Sequence, residues 1–262
     1  MASNILNLIG KTAIITGASS GIGKATSVLF KELGASLLVT GRNERNLIQL
    51  VKELELIPTS GKVHYVVADL SKEDQVKSII ESFKSHFSSL DILVNNAGIL
   101  ESGTIENTTF ESYDRIMTVN LRSVFQLTQL AVPLLEKTKG SVVNVSSVNG
   151  IRSFPGVLAY NVSKAGLDQL TRCAALELAH KGIRINSVNP GVTVTELHSR
   201  SGMDTETYQK FLEHSKATHP LGRPGTVDEP ARAIAFLASP LASFTTGASL
   251  PVDGGRHAAC PR

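Results

Sequence analysis

The sequence alternates between short, almost wholly apolar segments and longer amphipathic ones, and this alternation constrains the fold more than any other feature. The apolar segments include AIIT at 13–16, LLVT at 37–40 and SVVNV at 141–145. Strands that are apolar at successive positions bury both faces, which is typical of parallel sheets covered by helices on each side. The pattern therefore predicts an α/β fold with a doubly wound parallel sheet of about seven strands.

The predicted elements follow one another along the whole chain without a linker or a repeat, so we expect a single catalytic domain over 1–262. Strands are predicted at 11–16, 35–40, 62–68, 91–95, 140–146, 183–189 and 248–252. Helices are predicted to begin near 21, 43, 72, 110, 156 and 227, and the two longest near 110–136 and 157–180. The segment 193–220 has no clear periodicity, and we interpret it as an insertion with short helices and a candidate substrate lid.

Composition excludes several classes of function. The net charge is +3, Trp is absent, and no run of five like charges occurs, which argues against a nucleic-acid or membrane surface. No apolar stretch is long enough to span a bilayer, and the N-terminus lacks the features of a signal peptide. The two cysteines, Cys173 and Cys260, form no CxxC motif, and no HExxH motif occurs. We therefore expect a cytoplasmic protein with neither disulfides nor a catalytic metal.

A glycine-rich segment, TGASSGIG at 16–23, follows the first predicted strand and opens the first helix. Glycines at such a turn allow a pyrophosphate to approach the backbone, and the helix N-terminus supplies free N–H groups. The alternative is an ordinary strand-to-helix turn, but the position in a β-α-β unit favours a dinucleotide site. The predicted phosphate-binding residues are Gly17, Ser19, Ser20, Gly21, Ile22 and Gly23.

A second group of residues predicts catalysis. Tyr160 and Lys164 lie four residues apart on a predicted helix and share one face. We expect this face to be buried and to continue through Leu167, Leu170, Ala174 and Leu178. Taken alone, the pair is explained by a core tyrosine and a lysine that extends to solvent. Ser147, at the end of a predicted strand, favours a catalytic cluster, because the carboxyl ends of parallel strands border the ligand crevice.

Asn120 interrupts an apolar helical stripe that includes Ile116, Val124 and Leu127. A buried amide without partners costs about 1–3 kcal/mol, so this side chain must have a specific partner. From the residues alone, the simpler explanation is a core asparagine that hydrogen-bonds to a backbone group.

These motifs, taken in order, resemble the short-chain dehydrogenase/reductase family. The resemblance covers 11–255 and rests on the GxxxGxG spacing, Asp69, NNAG at 95–98, Asn120, Ser147, YxxxK at 160–164, PG at 190–191 and DGG at 253–255. It implies a Rossmann-like fold and a catalytic set of Asn120, Ser147, Tyr160 and Lys164. By this resemblance Tyr160 is the general acid, Ser147 orients the substrate oxygen, and Asn120 holds a water that links Lys164 to solvent. Lys164 also binds the nicotinamide ribose, and its charge is expected to lower the pKa of Tyr160.

The resemblance also assigns the remaining cofactor contacts. Asp69 and Leu70 correspond to the pair beside the adenine, and Asn96, Ala97 and Gly98 to the loop that supports the ribose. The loop under the nicotinamide corresponds to Pro190, Gly191, Val192 and Thr195. For each of these residues, the simpler explanation is a turn after a strand.

The residues after the second strand predict a preference for NADP(H). Members of the family that use NAD carry an acid here, which accepts hydrogen bonds from the adenosine ribose. Gly41 occupies that position, and Arg42 and Asn43 follow it. Arg42 can bind a 2′-phosphate through two charge-assisted hydrogen bonds. The alternative is that Arg42 is a solvated surface charge.

Together these features predict an enzyme that transfers a hydride from NADPH to a carbonyl group of a small molecule. The substrate stays open among ketones, 3-oxoacyl compounds and steroid-like molecules, and an apolar pocket is expected from Ile151, Phe154, Leu197, Met203, Tyr208 and Phe211. One alternative is an NAD-dependent alcohol or hydroxysteroid dehydrogenase; another is a dinucleotide-binding sensor without catalysis. The resemblance further implies a homotetramer, to which the tail 256–262 could contribute a subunit contact.

Overall fold

A computed structural model describes residues 6–259 and contains a sheet of seven parallel strands. Their order is β3-β2-β1-β4-β5-β6-β7, so the chain first builds the sheet outwards from β1 and then in the other direction from β4. The strands are β1 (Thr12–Thr16), β2 (Ser36–Gly41), β3 (Val63–Val67), β4 (Ile92–Asn95), β5 (Ser141–Val145), β6 (Arg184–Pro190) and β7 (Ser249–Val252). The predicted doubly wound parallel fold is confirmed.

Helices lie on both faces of this sheet. They are α1 (Gly21–Glu32), α2 (Glu44–Glu55), α3 (Glu73–His86), α4 (Phe110–Met117), α5 (Ser123–Thr138), α6 (Val148–Ile151), α7 (Leu158–Leu178), α8 (Leu197–Arg200), α9 (Thr205–Thr218) and α10 (Asp228–Ala238). A π-helical turn (Thr118–Arg122) joins α4 to α5, so the long helix predicted near 110–136 is present but contains a π-helical insertion that the sequence did not predict. Such turns insert an extra residue and often mark functional sites.

Strand side chains alternate between two separate apolar layers. Ile15 packs into the layer that contains Phe30 and Leu47, whereas Ile14 packs into the layer that contains Phe83. Each strand position therefore needs an apolar side chain, which explains the uninterrupted apolar segments. Because the two halves of the sheet diverge from β1 and β4, a crevice opens at the carboxyl ends of these central strands.

The buried face of α7 differs from the predicted one. Tyr160, Lys164 and Leu167 are buried as expected, but Leu170, Ala174 and Leu178 are only partly buried. The buried face instead continues through Asp168, Thr171 and Ala175. The sequence-based assignment followed apolar residues, whereas the helix packs a polar set against the ends of β5 and β6.

The segment 193–220 forms two helices, α8 and α9. Cys173 is exposed and not disulfide-bonded, whereas Cys260 and the end of the predicted subunit-contact tail lie outside the described residues. Within 6–259, every helix is too short or too polar to cross a membrane. The same residues include no cluster of three or more His, Cys, Asp or Glu side chains suited to a metal ion.

Candidate active site

The turn between β1 and α1 has no room for side chains at its glycines. Gly17 and Gly21 have positive φ angles of 64° and 54°. A Cβ atom on Gly23 would lie 2.3 Å from Asn96 Nδ2 and 2.4 Å from the Gly17 carbonyl oxygen. The N-cap residue Ser20 makes no side-chain capping bond, and the first turn of α1 contains no acid. Its N–H groups are therefore available to a phosphate, which fits the predicted dinucleotide.

The loop after β4 is tied to this glycine turn. The Asn96 side chain donates hydrogen bonds to the carbonyls of Thr16 (2.9 Å) and Gly17 (3.1 Å). In return, the Thr16 hydroxyl accepts the N–H groups of Asn96 and Ala97, both at 3.0 Å. Asn96 thus fixes the shape of the turn itself, beyond the ribose support that the resemblance assigns to its loop.

The glycine turn opens onto a cleft of about 800 Å³. All the predicted cofactor residues except Gly23 line it, as do Ser147, Tyr160 and Lys164, whereas Asn120 does not. The lining residues from the predicted cofactor set are Gly17, Ser19, Ser20, Gly21, Ile22, Arg42, Asn43, Asp69, Leu70, Asn96, Ala97, Gly98, Tyr160, Lys164, Pro190, Gly191, Val192 and Thr195. Gly23 lies behind the turn, where its missing side chain permits the packing described above.

One end of the cleft carries Arg42 and Asp69. The Arg42 side chain is exposed, and Asn43 caps α2 by accepting the Asn46 N–H at 3.0 Å. Burial raises the pKa of Asp69, but the Ser71 N–H (2.9 Å) and the Arg42 charge lower it by more, so the net direction is downwards. A free guanidinium and an ionised carboxylate thus border this end of the cleft.

The other end contains the predicted catalytic residues. The Ser147 hydroxyl begins α6 by accepting the Asn149 N–H at 3.1 Å. Tyr160 and Lys164 are 6% and 3% exposed. The Lys164 Nζ atom lies 5.7 Å from the centre of the Tyr160 ring and donates a 2.8 Å hydrogen bond to the Val145 carbonyl. Neither predicted alternative, a surface lysine or an isolated core tyrosine, matches this arrangement.

Burial dominates the electrostatics of this pair. It raises the pKa of Tyr160 to about 12, and the nearby Ser147 hydroxyl only partly opposes the shift. It lowers the pKa of Lys164 to about 8, against the opposing charge of Asp168. The Tyr160 pKa therefore lies above its ordinary value and not below it as expected, because burial outweighs the opposing effects.

Asn120 is fully buried within the π-helical turn. Its side-chain amide makes two hydrogen bonds to the Ile99 backbone. Oδ1 accepts the Ile99 N–H at 2.8 Å, and Nδ2 donates to the Ile99 carbonyl at 2.9 Å. Nδ2 also lies 3.1 Å from the Ser163 hydroxyl. A Cβ atom on Gly98 would lie 3.5 Å from Asn120 Oδ1 and 3.6 Å from Lys164 Nζ. The two groups therefore flank Gly98, and the proton relay through Asn120 stays a prediction.

Comparison with known proteins identifies the family. A sequence profile described as enoyl-(acyl carrier protein) reductase matches residues 17–257. The chain belongs to the short-chain dehydrogenase/reductase family. Among its relatives, a 3-oxoacyl-[acyl-carrier-protein] reductase of Thermotoga maritima is 41% identical over 251 residues, covering 95% of this chain and 99% of that protein. An L-xylulose reductase of Caenorhabditis elegans is 39% identical, covering 94% and 95%.

The structural comparison agrees. The crystal structure of 3-ketoacyl-(acyl-carrier-protein) reductase from Brucella melitensis complexed with NADH matches with a TM-score of 0.86 at 35% identity, covering 96% of this chain and 100% of that one. As a member of the short-chain dehydrogenase/reductase family, the protein is an oxidoreductase that binds a nicotinamide dinucleotide.

The sequence analysis did not identify a buried acid, Asp168, on α7, the helix that carries Tyr160 and Lys164. Asp168 is 3% exposed and accepts a 2.8 Å hydrogen bond from the Asn189 side chain, which also donates to the Ser147 carbonyl at 2.9 Å. Burial raises the Asp168 pKa, and side-chain hydrogen bonds from Ser146, Asn189 and Ser187 and the Lys164 charge only partly oppose it. The available signal was its position four residues after Lys164, which continues the Tyr160–Lys164 face.

The substrate end of the cleft also differs from prediction. Phe154, Leu197, Met203 and Phe211 line it as expected. Ile151 is instead 42% exposed, and the Tyr208 hydroxyl is directed at the Thr195 carbonyl (3.1 Å) outside the cleft. In their place, the polar side chains of His198 and Arg256 line this end, so the pocket is less apolar than predicted.

A buried histidine connects α9 to the predicted nicotinamide loop, and the sequence analysis did not identify it. His219 is 2% exposed, and its Nε2 atom accepts the Val192 N–H at 3.1 Å. A Cβ atom on Gly191 would lie 2.8 Å from this same nitrogen. The two residues are 27 positions apart in the sequence, so no local pattern predicts this contact.

Proposed function

We propose that this short-chain dehydrogenase/reductase uses NADPH to reduce a carbonyl group to an alcohol. The observation that carries the proposal is the convergence of Ser147, Tyr160 and Lys164 in one cleft with the uncapped glycine turn. When bound, NADPH supplies the hydride. The protein supplies the proton, the orientation of the substrate oxygen and an environment from which water is largely excluded.

Tyr160 is suited to donating that proton. With its pKa raised to about 12, the phenol is protonated at neutral pH, which is the form a general acid requires. As the carbonyl oxygen gains negative charge, it becomes a better acceptor for the phenol proton. The Ser147 hydroxyl donates a hydrogen bond to the same oxygen and so favours its developing charge.

Lys164 restores the acid after each turnover. Its pKa of about 8 lies close to neutral pH, so the ammonium can release a proton and regain one. The Val145 carbonyl accepts a hydrogen bond from Nζ, which lies 5.7 Å from the centre of the Tyr160 ring. The Asn120 amide, on the other side of Gly98, completes the predicted path for this proton.

The NADPH preference is supported by the Arg42 end of the cleft. Gly41 supplies no carboxylate, so no acid at this position would repel a 2′-phosphate. Arg42 is exposed at the cleft wall and free to bind a 2′-phosphate. A hydrogen bond to a charged group contributes about 1.5–3 kcal/mol.

A carbonyl panel assayed with NADPH and with NADH tests this proposal. We expect turnover of at least one ketone, 3-oxoacyl ester or steroid, with a higher kcat/KM for NADPH. Arg42→Ala is expected to weaken NADPH binding by about ten- to a hundredfold and to leave NADH binding unchanged. Arg45→Ala, an exposed arginine outside the cleft, is the matched control. Equal losses for both cofactors, or a wild-type preference for NADH, would contradict the assignment.

We also propose that the protein assembles as a homotetramer. Apolar side chains project from α5 and α7 into solvent: Phe125 is 51%, Val162 41% and Leu176 80% exposed. Burial against another subunit would remove this apolar surface from water. Light scattering at micromolar concentration tests the mass, and a monomer would contradict the proposal.

A further inference from the structure

The segment after β7 directs an arginine towards the substrate end of the cleft. Gly254 and Gly255, with φ angles of 60° and 87°, turn the chain back towards the active site. The Asp253 carboxylate closes this turn by accepting the N–H groups of Gly255 (3.1 Å) and His257 (2.6 Å). Arg152 Nε donates to the His257 carbonyl at 2.7 Å and ties the segment to the loop before α7. Arg256 is thereby held on the cleft wall.

The guanidinium of Arg256 is partly buried and has no anionic partner among residues 6–259. Its Cζ atom lies 4.3 Å from the centre of the Phe154 ring, so the ring covers one face of the cation. Among residues 6–259, no carboxylate oxygen lies within 4.0 Å of it, and its guanidinium donates no hydrogen bond. Burial lowers the Arg256 pKa, and Asp253 only partly opposes this. A half-buried cation whose donors bond to no described protein group is available to an anionic ligand, which would offset part of the cost of its burial.

His198 supplies a second polar group at the same end. Its ring lies 4.5 Å from that of Phe211, and both side chains line the cleft. Its Nδ1 atom is buried and has no hydrogen-bond partner in the described part of the chain. Burial lowers its pKa, and the charge of Arg256 lowers it further.

The acids on this part of the wall are already engaged. Glu196 pairs with Arg200 one helical turn away. Asp204 caps α9, accepting the Thr207 N–H at 2.9 Å and the Thr207 hydroxyl at 2.6 Å. Neither carboxylate bonds to Arg256. Of Arg200 and Arg256, the two arginines on this part of the wall, Arg256 is therefore the one without a carboxylate oxygen within 4.0 Å among residues 6–259.

We propose that the carbonyl substrate carries a carboxylate, which binds the Arg256 guanidinium with the His198 ring as a second donor. The planar guanidinium fork matches a carboxylate and can bind both oxygens. Phe154 and Phe211 contact the carbon chain between this anion and the reacting carbonyl. The inference rests on the proposed carbonyl reduction and narrows its substrate to an oxo acid.

Paired substrates that differ only in charge test this site. We compare 2-, 3- and 4-oxo acids with their neutral methyl esters, using NADPH. The wild type is expected to prefer one acid over its ester by about ten- to a hundredfold in kcat/KM, mainly through KM. Arg256→Gln is expected to bring this ratio to about one without changing NADPH affinity. Arg200→Gln, which removes a cleft arginine already paired with Glu196, should keep the preference for the acid.

A binding experiment separates failure of this site from failure of the proposed reaction. Calorimetry with NADP+ present compares hexanoate with its neutral amide, and neither compound can be reduced. Tighter binding of hexanoate to the wild type, reduced in Arg256→Lys and lost in Arg256→Gln, supports the site even if no tested carbonyl is turned over. Two results would contradict the proposed carboxylate site: equal affinity of the wild type for hexanoate and its amide, or equal kcat/KM for an oxo acid and its ester. Neither result would contradict the proposed carbonyl reduction.

Discussion

The two ends of the active-site cleft differ in what forms their surface: mainly backbone at the glycine turn, and side chains at the carbonyl end. At the dinucleotide end, the surface of the glycine turn is backbone: a Cβ atom on Gly17 would lie 2.8 Å from Ala97 Cα, so nothing larger than glycine fits. At the carbonyl end, side chains from three separate segments form the surface, including Phe154, His198 and Arg256. A backbone surface changes little with substitution, whereas a side-chain surface changes with each one. The glycine turn therefore preserves the phosphate-binding site, and the carbonyl end selects the substrate.

The catalytic residues lie where these two ends meet, and their loss should have the largest effect. Tyr160→Phe keeps the buried ring but removes the proton donor. We expect turnover to fall by at least about a hundredfold, the usual loss for a general acid, with NADPH affinity and melting temperature close to wild type. Single-turnover kinetics and calorimetric titration with NADPH measure the two quantities separately.

Tyr65→Phe is the matched control, since Tyr65 lies on β3 and does not line the cleft. Its turnover should equal that of the wild type. If Tyr160→Phe turned over substrate at a rate near wild type, Tyr160 would not be the acid, and the convergence of the three catalytic side chains would need another explanation.

The backbone character of the dinucleotide end predicts a second, smaller effect. Gly23→Ala places a Cβ atom 2.3 Å from Asn96 Nδ2 and forces the turn apart. Overpacking costs about 1–3 kcal/mol, whereas alanine gains up to about 1 kcal/mol over glycine in a helix. We expect NADPH affinity to fall by roughly tenfold or more, with a lower melting temperature.

Gly202→Ala provides the contrast at the carbonyl end. A Cβ atom on Gly202 meets nothing within 4 Å, but its φ angle of 92° makes alanine strained. This variant should lose stability by about 1–2 kcal/mol and still bind NADPH normally. Tight NADPH binding by Gly23→Ala would show that the turn can relax, and the proposed contrast between the two ends would fail.

The same contrast explains what the sequence could predict. The glycine turn and the Tyr160–Lys164 pair depend on short spacings along one turn or one helix, so a linear pattern encodes them. Each predicted strand boundary lies within one residue of the boundary in the structure, because the sheet is covered on both faces and its strands are largely apolar. The sequence alone therefore predicts the glycine turn and the Tyr160–Lys164 pair.

The polar residues of the carbonyl end could not be predicted from a linear pattern. Its polar groups depend on contacts between distant segments, such as Arg256 with Phe154 and His219 with Val192. The 193–220 segment was recognised only by its lack of periodicity, and Tyr208 was wrongly placed in the pocket. The direction of the Tyr160 pKa shift was also wrongly predicted, because it depends on burial of the phenol, which a linear pattern does not encode.

The smallest predicted effect concerns His219, which joins the two ends. Its Nδ1 atom lies 2.7 Å from the Ser215 carbonyl and must carry the proton, which leaves Nε2 to accept the Val192 N–H. Burial lowers the His219 pKa; the Ser215 carbonyl raises it, Arg256 lowers it and Asp253 raises it, with a net downward shift. Only the neutral ring can make both hydrogen bonds.

The sign of the pH dependence follows from this downward shift. The unfolded chain binds a proton on His219 at a higher pH than the folded protein does. Stability from the neutral ring is thus fully present above the ordinary histidine pKa of about 6.5 and is lost as pH falls through the lowered value. Protonation of Nε2 also leaves the Val192 N–H without an acceptor. We expect α9 to loosen from the nicotinamide loop, so that the KM for the carbonyl rises on acidification.

The expected change is about tenfold or less, because one neutral hydrogen bond contributes about 0.5–1.5 kcal/mol. His219→Gln provides an amide that can accept the same N–H but does not titrate, so its KM and melting temperature should depend less on pH below about 6.5. His214→Gln, an exposed histidine on the same helix, should keep the wild-type pH profile. If the His219→Gln and wild-type profiles run parallel, the acid sensitivity arises elsewhere, and the carbonyl end is joined to the nicotinamide loop by contacts other than this histidine.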